Sequence, residues 1–297
     1  MCGGEAVWSM KPCLKRLLAW LLLLTLPAVA QVQFTYTTNN GAITLTHYTG
    51  SGGAVTIPSA INGLPVTGIG YEAFLGSGLT SVTIPGSVTS IGDSAFENCY
   101  DLSSVAIPDS VTSIGNEAFN ECTSLNGVTI GNGVTNIGVE AFDYCTGLHR
   151  VMLGNNVTSI GASAFENCYS LTSVTFQGNP PGADSSVFSS DNTGGSNATV
   201  YYLPGATNWG PLFAGLPAML WNAQVQTSGG GFGVRTNRFG FTITGASNLV
   251  IVVEGCTNLA NPVWSPVGTN TLAAGVSYFS DPRWTNSPRR FYRLRPP

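Results

Sequence analysis

The sequence predicts a β-rich (α/β) solenoid followed by a small β-sandwich-like domain. Three observations carry this expectation. Between Gly86 and Phe176 the chain repeats itself with a strict 23-residue period. Charged residues make up only 9% of the chain while 43% is apolar and Gly and Pro are abundant, a turn-rich but not disordered composition. The period then vanishes after Asn222, where short alternating runs begin.

At the N-terminus, Lys11, Lys15 and Arg16 precede the apolar run Leu17 to Leu26, and Pro27-Ala28-Val29-Ala30 offers small residues for cleavage. This is signal-peptide order, and the run is about half of the ~20 residues that a membrane-spanning helix needs. Residues 1–30 are therefore assigned to a signal peptide, with no membrane-spanning segment in the mature chain. Residues 31–222 are assigned to a solenoid with N- and C-terminal caps, and 223–297 to a C-terminal β-sandwich-like module. Phe34 to Tyr48, turning at Asn39-Asn40-Gly41, reads as a hairpin cap.

One repeat, Gly86 to Pro108, explains the rest. Val105 and Ile107 alternate with Ser104 and Ala106 as a strand with one buried face. Gly92 is read as a tight turn, followed by a short helical stretch, Ala95–Asn98, that carries Phe96 inward. Phe96, Phe119, Phe142 and Phe165 form one core column and Cys99, Cys122, Cys145 and Cys168 another. No single repeat can enclose its own core, so the repeats must stack. Cysteines at one position of neighbouring rungs point the same way, about 4.8 Å apart, whereas a disulfide wants Cβ atoms converging at about 3.8 Å. They are read as buried thiols. With no short C-x-x-C spacing, no metal is expected, and nothing implies a cofactor. Earlier copies are visible at Leu64 to Pro85, one residue short, and a degenerate last coil at Val187-Phe188 and Val200 to Pro204, with an insertion around Ser189–Asn197.

The segments Ser90-Ile91-Gly92-Asp93-Ser94-Ala95-Phe96-Glu97-Asn98-Cys99 and Leu102-Ser103-Ser104-Val105-Ala106-Ile107-Pro108 resemble the BspA-type leucine-rich repeats of bacterial and protist surface proteins. The resemblance spans about residues 55–205. It implies a leucine-rich-repeat right-handed solenoid with a parallel sheet on its concave side, and an extracellular role in protein binding or adhesion. It brings no catalytic residues.

Charge divides the chain. From Gln31 to Asn222 twelve acids face one base, Arg150, for a net −11; from Ala223 onward two acids face seven arginines, for a net +5. The acidic part excludes nucleic acid as a partner. Ser228–Gly231 reads as a hinge or linker, and Arg289, Arg290, Arg293 and Arg295 are either edge-strand charges, partners for the acidic solenoid, or contacts to an anionic surface polymer. Glu97, Asp143 and Glu166 align in what reads as an exposed helical column.

Outward positions of the repeat strands are mostly small, except at one rung carrying His149, Arg150 and Met152. That rung, with Thr129, Thr175 and Tyr201 beside it, is the candidate ligand-binding surface; a local pair between Arg150 and Asp143 is the plainer reading of the arginine. No catalytic residue is expected, since His47 and His149 are the only histidines and no G-x-S-x-G elbow is present. The expected function is a secreted or cell-surface, non-catalytic module that binds an extracellular protein or surface glycan. A structural spacer or matrix protein, or last an enzyme, are the alternatives.

Overall fold

The computed structural model describes residues 33–190, 197–236, 238–287 and 289–297. The leader and most of the insertion near Ser189–Asn197 lie outside the described residues. The fold is a parallel β-solenoid of stacked rungs followed by two antiparallel sheets.

Two sheets run along the solenoid. The long-strand sheet joins Ser104–Ile107, Gly127–Ile130, Arg150–Leu153, Ser173–Phe176, Thr199–Tyr202 and Leu216–Leu220 in parallel. Its register puts Val105, Val128, Val151, Val174 and Val200 in one buried row. The short-strand sheet joins Ser90–Ile91, Ser113–Ile114, Asn136–Ile137 and Ser159–Ile160, reached from the hairpin Phe34–Asn39 and Ala42–Tyr48 through Leu64–Ile69. Asn40 and Gly41 turn that hairpin with φ of 49° and 77°, the paired positive values a two-residue turn requires. The short copy breaks the long sheet: Leu79–Thr83 pairs with Gly53–Thr56 in a separate two-stranded sheet.

Between the sheets the phenylalanine column is continuous. Phe74, Phe96, Phe119, Phe142 and Phe165 stack with ring centroids 4.8, 5.0, 5.0 and 5.1 Å apart and nearly parallel planes, and Phe188 extends the stack. Tyr48 closes one end and Phe213 the other. The cysteines beside it are free, buried thiols. Cys99, Cys122, Cys145 and Cys168 each donate to the carbonyl oxygen of the phenylalanine one rung back, at 3.2 Å. Burial pushes the Cys99 thiol up to about 12 and raises the others, so they stay protonated donors.

The expected helical stretch is absent; residues 93–98 are turns, and no α-helix occurs among the described residues. Ser94, Glu117, Glu140 and Ser163 take left-handed φ of 52–56°, and Asn98, Glu121, Tyr144 and Asn167 form a second column at 52–59°. This aims amides along the stacking axis. Ser94, Phe96 and Asn98 donate to the carbonyls of Asn116, Ala118 and Asn120 in the next rung, at 2.7–2.9 Å. A helix would have closed those groups within one rung and left the turns of neighbouring rungs without these links. Glu97, Asp143 and Glu166 thus lie in a turn, not on a helix, and Asp143 is buried.

Gly115 and Gly138 mark a second departure. Neither has positive φ; a Cβ at Gly138 would lie 2.5 Å from Asn116 N and Gly115 C of the rung below. Gly92, read from the sequence as a tight turn, is alike: it has no positive φ, and its Cβ would lie 2.9 Å from Gly70 C, so the role of all three is close approach.

The C-terminal module has one sheet of Gln224–Gln226, Phe232–Arg235, Arg238–Thr244 and Val276–Asp281, and another of Leu249–Cys256, Ser265–Leu272 and Phe291–Arg295. Phe241, Ile243, Leu249, Ile251, Val253, Leu272 and Phe279 form its core. Since Gln224–Gln226 already pairs with Arg238–Thr244, the glycine-rich stretch is a 3-10 turn within a sheet and not a linker.

Two stability outcomes follow from these contacts. Gly138→Ala is expected to lose about 1–3 kcal/mol in denaturant unfolding, because the rung below is backbone and cannot yield. Asp143 is pushed up to about 6 by burial, which outweighs the Tyr144 N–H it accepts, with Glu166 and Glu140 adding repulsion. Its raised value means the folded state holds the extra proton, so this contribution to stability falls as pH rises from about 4 to 6. Asp143→Asn should raise the melting temperature by a few degrees at pH 7 and give no gain near pH 4.

Candidate functional site

The register brings the predicted site residues together. Thr129, Met152, Thr175 and Tyr201 form one row across four strands, and Gly127, Arg150, Ser173 and Thr199 form the adjoining row. Buried Val151 and Leu153 hold the rung from beneath, so Arg150 and Met152 project from the outer face. His149 precedes the strand, exposed, with Nδ1 2.7 Å from Gly147 O.

The face is not uniformly open. Thr129 is exposed and Met152 is 38% exposed, but Ser173, Thr175 and Tyr201 are buried. They are covered by the C-terminal module. Tyr201 meets Trp221 edge-on at 5.8 Å within the module's core cluster, and Ser173 Oγ donates to Pro297 O. The strand Phe291–Arg295 ends over the sheet, leaving a cleft of about 440 Å³. Its floor includes Thr129, Arg150 and Met152, and its roof is Glu254, Arg293, Arg295 and Pro296.

The roof is a charged cluster. Glu254 is held by Arg293 Nη2 at 2.7 Å and Arg295 Nε at 2.6 Å. Trp264 lies 4.6 Å from the Arg293 guanidinium, a cation–π contact. Burial works against ionised Glu254, but the hydrogen bonds from Arg295 and Arg293 outweigh it and hold its carboxyl below the usual range. Arg290 pairs instead with Asp281 at 2.9 Å. Three of the four C-terminal arginines are thus engaged inside the module, two of them directly over the solenoid.

Arg150 does not pair with Asp143. That carboxylate accepts from Tyr144 N and Asn167, and among the described residues Arg150 forms no ion pair. Arg150 is half-buried, and burial together with Arg295 and Arg293 acts against its charge while Glu254 favours it. Sequence reasoning missed Glu254 and the side of the cleft it anchors. The signal was present in the opposite charge of the two regions and in the run Arg289 to Arg295. A threonine column was missed too: Thr89, Thr112, Thr135 and Thr158 each donate to the threonine carbonyl one rung back, at 3.0–3.3 Å.

Among the described residues no group of three or more His, Cys, Asp and Glu could hold a metal ion, and no helix is long and apolar enough to cross a membrane. His47 lies in the N-terminal hairpin, not on the long-strand sheet.

The model of the BspA type leucine rich repeat region matches residues 67–193 in six copies. Residues 67–193 are BspA-type leucine-rich repeats. Among solved structures, it is similar to a leucine-rich repeat protein of T. pallidum, with 32% identity over 58% of this chain and 84% of that chain and a TM-score of 0.49. It is similar to one from Bacteroides ovatus, with 29% identity over 58% of this chain and 48% of that chain and a TM-score of 0.45. A leucine rich cell surface protein from Faecalibacterium prausnitzii shares 25% identity over 58% of this chain and 69% of that chain, with a TM-score of 0.36. No curated protein matches the chain. The BspA-type repeats build the floor of the cleft, and the module beyond the matched residues builds its roof.

The charge cluster yields a pH outcome of opposite sign to that of Asp143. Glu254 has a depressed value, so its contribution is present above about pH 4.3 and lost as pH falls through the folded value. Glu254→Gln is expected to lower the melting temperature at pH 7, at a cost of about 3 kcal/mol for leaving two arginines without their partner. The difference from wild type should shrink on acidification below pH 4.

Proposed function

We propose that this protein is an exported, non-catalytic binding module, secreted or held at the cell surface, that engages a protein partner through the outer face of its long-strand sheet. The observation that supports this reading is the open part of that face: Ser104, Ala106, Thr129 and Met152 are exposed in register beside Arg150. Small side chains make a surface that a partner can approach closely, and an arginine next to a thioether supplies the residue types on which binding energy concentrates. The basic start and apolar run of residues 1–30 support export. Fully buried thiols suit an oxidising exterior, since no oxidant reaches them.

The division at Asn222 gives each part a task in this reading. The solenoid presents the surface, and the C-terminal module covers its last rungs and sets the far boundary of the site. Arg293 and Arg295 pair with Glu254 at the border of the cleft, while Arg289 stays exposed and is the C-terminal arginine left for an anionic cell-surface polymer.

The test uses the immobilised chain from Gln31 to Pro297 against culture fluid and cell-surface extracts. Thr129→Trp should block the face and reduce capture of the bound proteins at least about tenfold, the loss of a central contact, with the melting temperature unchanged. Tyr71→Ala, on the turn side, should leave capture intact. Equal capture by the Thr129→Trp chain would overturn the assignment of the face, and capture of nothing would favour a structural spacer.

A further inference from the structure

We propose that the cleft between the long-strand sheet and the strand Phe291–Arg295 recognises a carboxylate, supplied by an acidic side chain of the protein partner, with Arg150 as its main contact. This rests on the reading of the sheet face as the binding surface and names the chemistry it selects.

The argument begins with charge. Three guanidinium groups, Arg150, Arg293 and Arg295, border one cleft, and Glu254 is the only carboxylate among its lining residues. Both oxygens of Glu254 are already taken, Oε2 by Arg293 and Oε1 by Arg295. Arg150 is left over. It makes no ion pair and no side-chain hydrogen bond among the described residues, though it lies half-buried at the cleft floor. A lysine in such surroundings could shed its proton; a guanidinium cannot at any physiological pH. Glu254 offsets part of the mutual repulsion, and an anion in the cleft would offset the rest.

The geometry favours a carboxylate. A guanidinium presents a planar fork that binds both oxygens of a carboxylate in parallel. Around it, Ser104, Asn126 and Thr129 offer hydroxyl and amide groups to a partner's backbone, and Met152 offers an apolar contact beside the charge. No aromatic ring lines the cleft, so there is no platform on which a sugar ring would stack. A volume of about 440 Å³ admits one acidic side chain and its adjoining backbone and excludes a folded domain. The rest of the partner would then extend over the open rungs toward Ser104 and Ala106.

The arrangement also explains an oddity of composition. Arg150 is the single basic residue between Gln31 and Asn222, in a region of net charge −11. An acidic partner would be repelled by most of the solenoid and accepted only where the C-terminal arginines have reversed the local sign. Selectivity thus depends on both parts of the chain.

The experiment is calorimetric titration of the Gln31 to Pro297 chain with N-acetyl-hexaglutamate amide at low salt. Binding is expected to weaken as salt rises, because the attraction is screened. Arg150→Gln should reduce affinity at least about tenfold, and Arg150→Lys, which keeps charge but loses the fork, should fall between. Arg235→Gln, an exposed arginine outside the cleft, should bind as wild type. Melting temperatures of the Arg150 variants guard against misfolding. Equal affinity of wild type and Arg150→Gln, or no binding of hexaglutamate, would overturn the inference. Tighter, Arg150-dependent binding of trigalacturonate would reassign the cleft to an acidic glycan and overturn the peptide. Should hexaglutamate fail while Thr129→Trp still abolishes protein capture, the binding face stands and only the carboxylate inference falls.

Discussion

Each repeat must advance the chain by one hydrogen-bonding spacing, about 4.8 Å, and nearly everything in the solenoid serves that translation. Rings stack well at almost the same distance, so the phenylalanine column, at 4.8–5.1 Å, and the strand ladders reinforce one pitch. Gly115 and Gly138 keep the rungs from being held apart. The cysteine thiols, the threonine hydroxyls and the axial amides of the turns all point to the neighbouring rung. A buried polar group that missed its partner would cost more than the bond contributes, so the ladders are mutually dependent. One pitch therefore governs core, sheets and turns alike.

The periodic part of this was legible in the sequence. Columns at Ile91, Phe96, Cys99, Leu102, Val105 and Ile107 name the buried side of every rung, and the register follows those columns residue for residue. The turn conformation was not legible. Ser94, Glu117, Glu140 and Ser163 share a left-handed backbone, but serine and glutamate do not signal one, and Ala95–Asn98 carries the composition of a helix. What decides the matter is the next rung, which accepts hydrogen bonds that a helix would have consumed.

The site was half legible for a related reason. Its floor is periodic, and a break in the period drew attention to His149, Arg150 and Met152. Its roof is not. Glu254 meets Arg293 and Arg295 across 39 and 41 residues, and no repeat or motif announces the pairing. Nor does the sequence reveal that Tyr201 and Trp221 join the core of the C-terminal module and so remove the last rungs from the open face. The opposite net charges of the two regions and the run Arg289 to Arg295 were the visible traces, and they specify attraction without specifying place.

The position of the cleft along the stack has an evolutionary corollary. It is assembled from the rungs between Ser103 and Thr175 and from the C-terminal module, while the hairpin at Phe34 to Tyr48 seals the far end. Duplicating or deleting an early coil would lengthen or shorten the molecule by one step and leave every contact around Arg150 in place. Reach and recognition are separately adjustable, so descendants of such a chain can vary in span while inheriting the same grip.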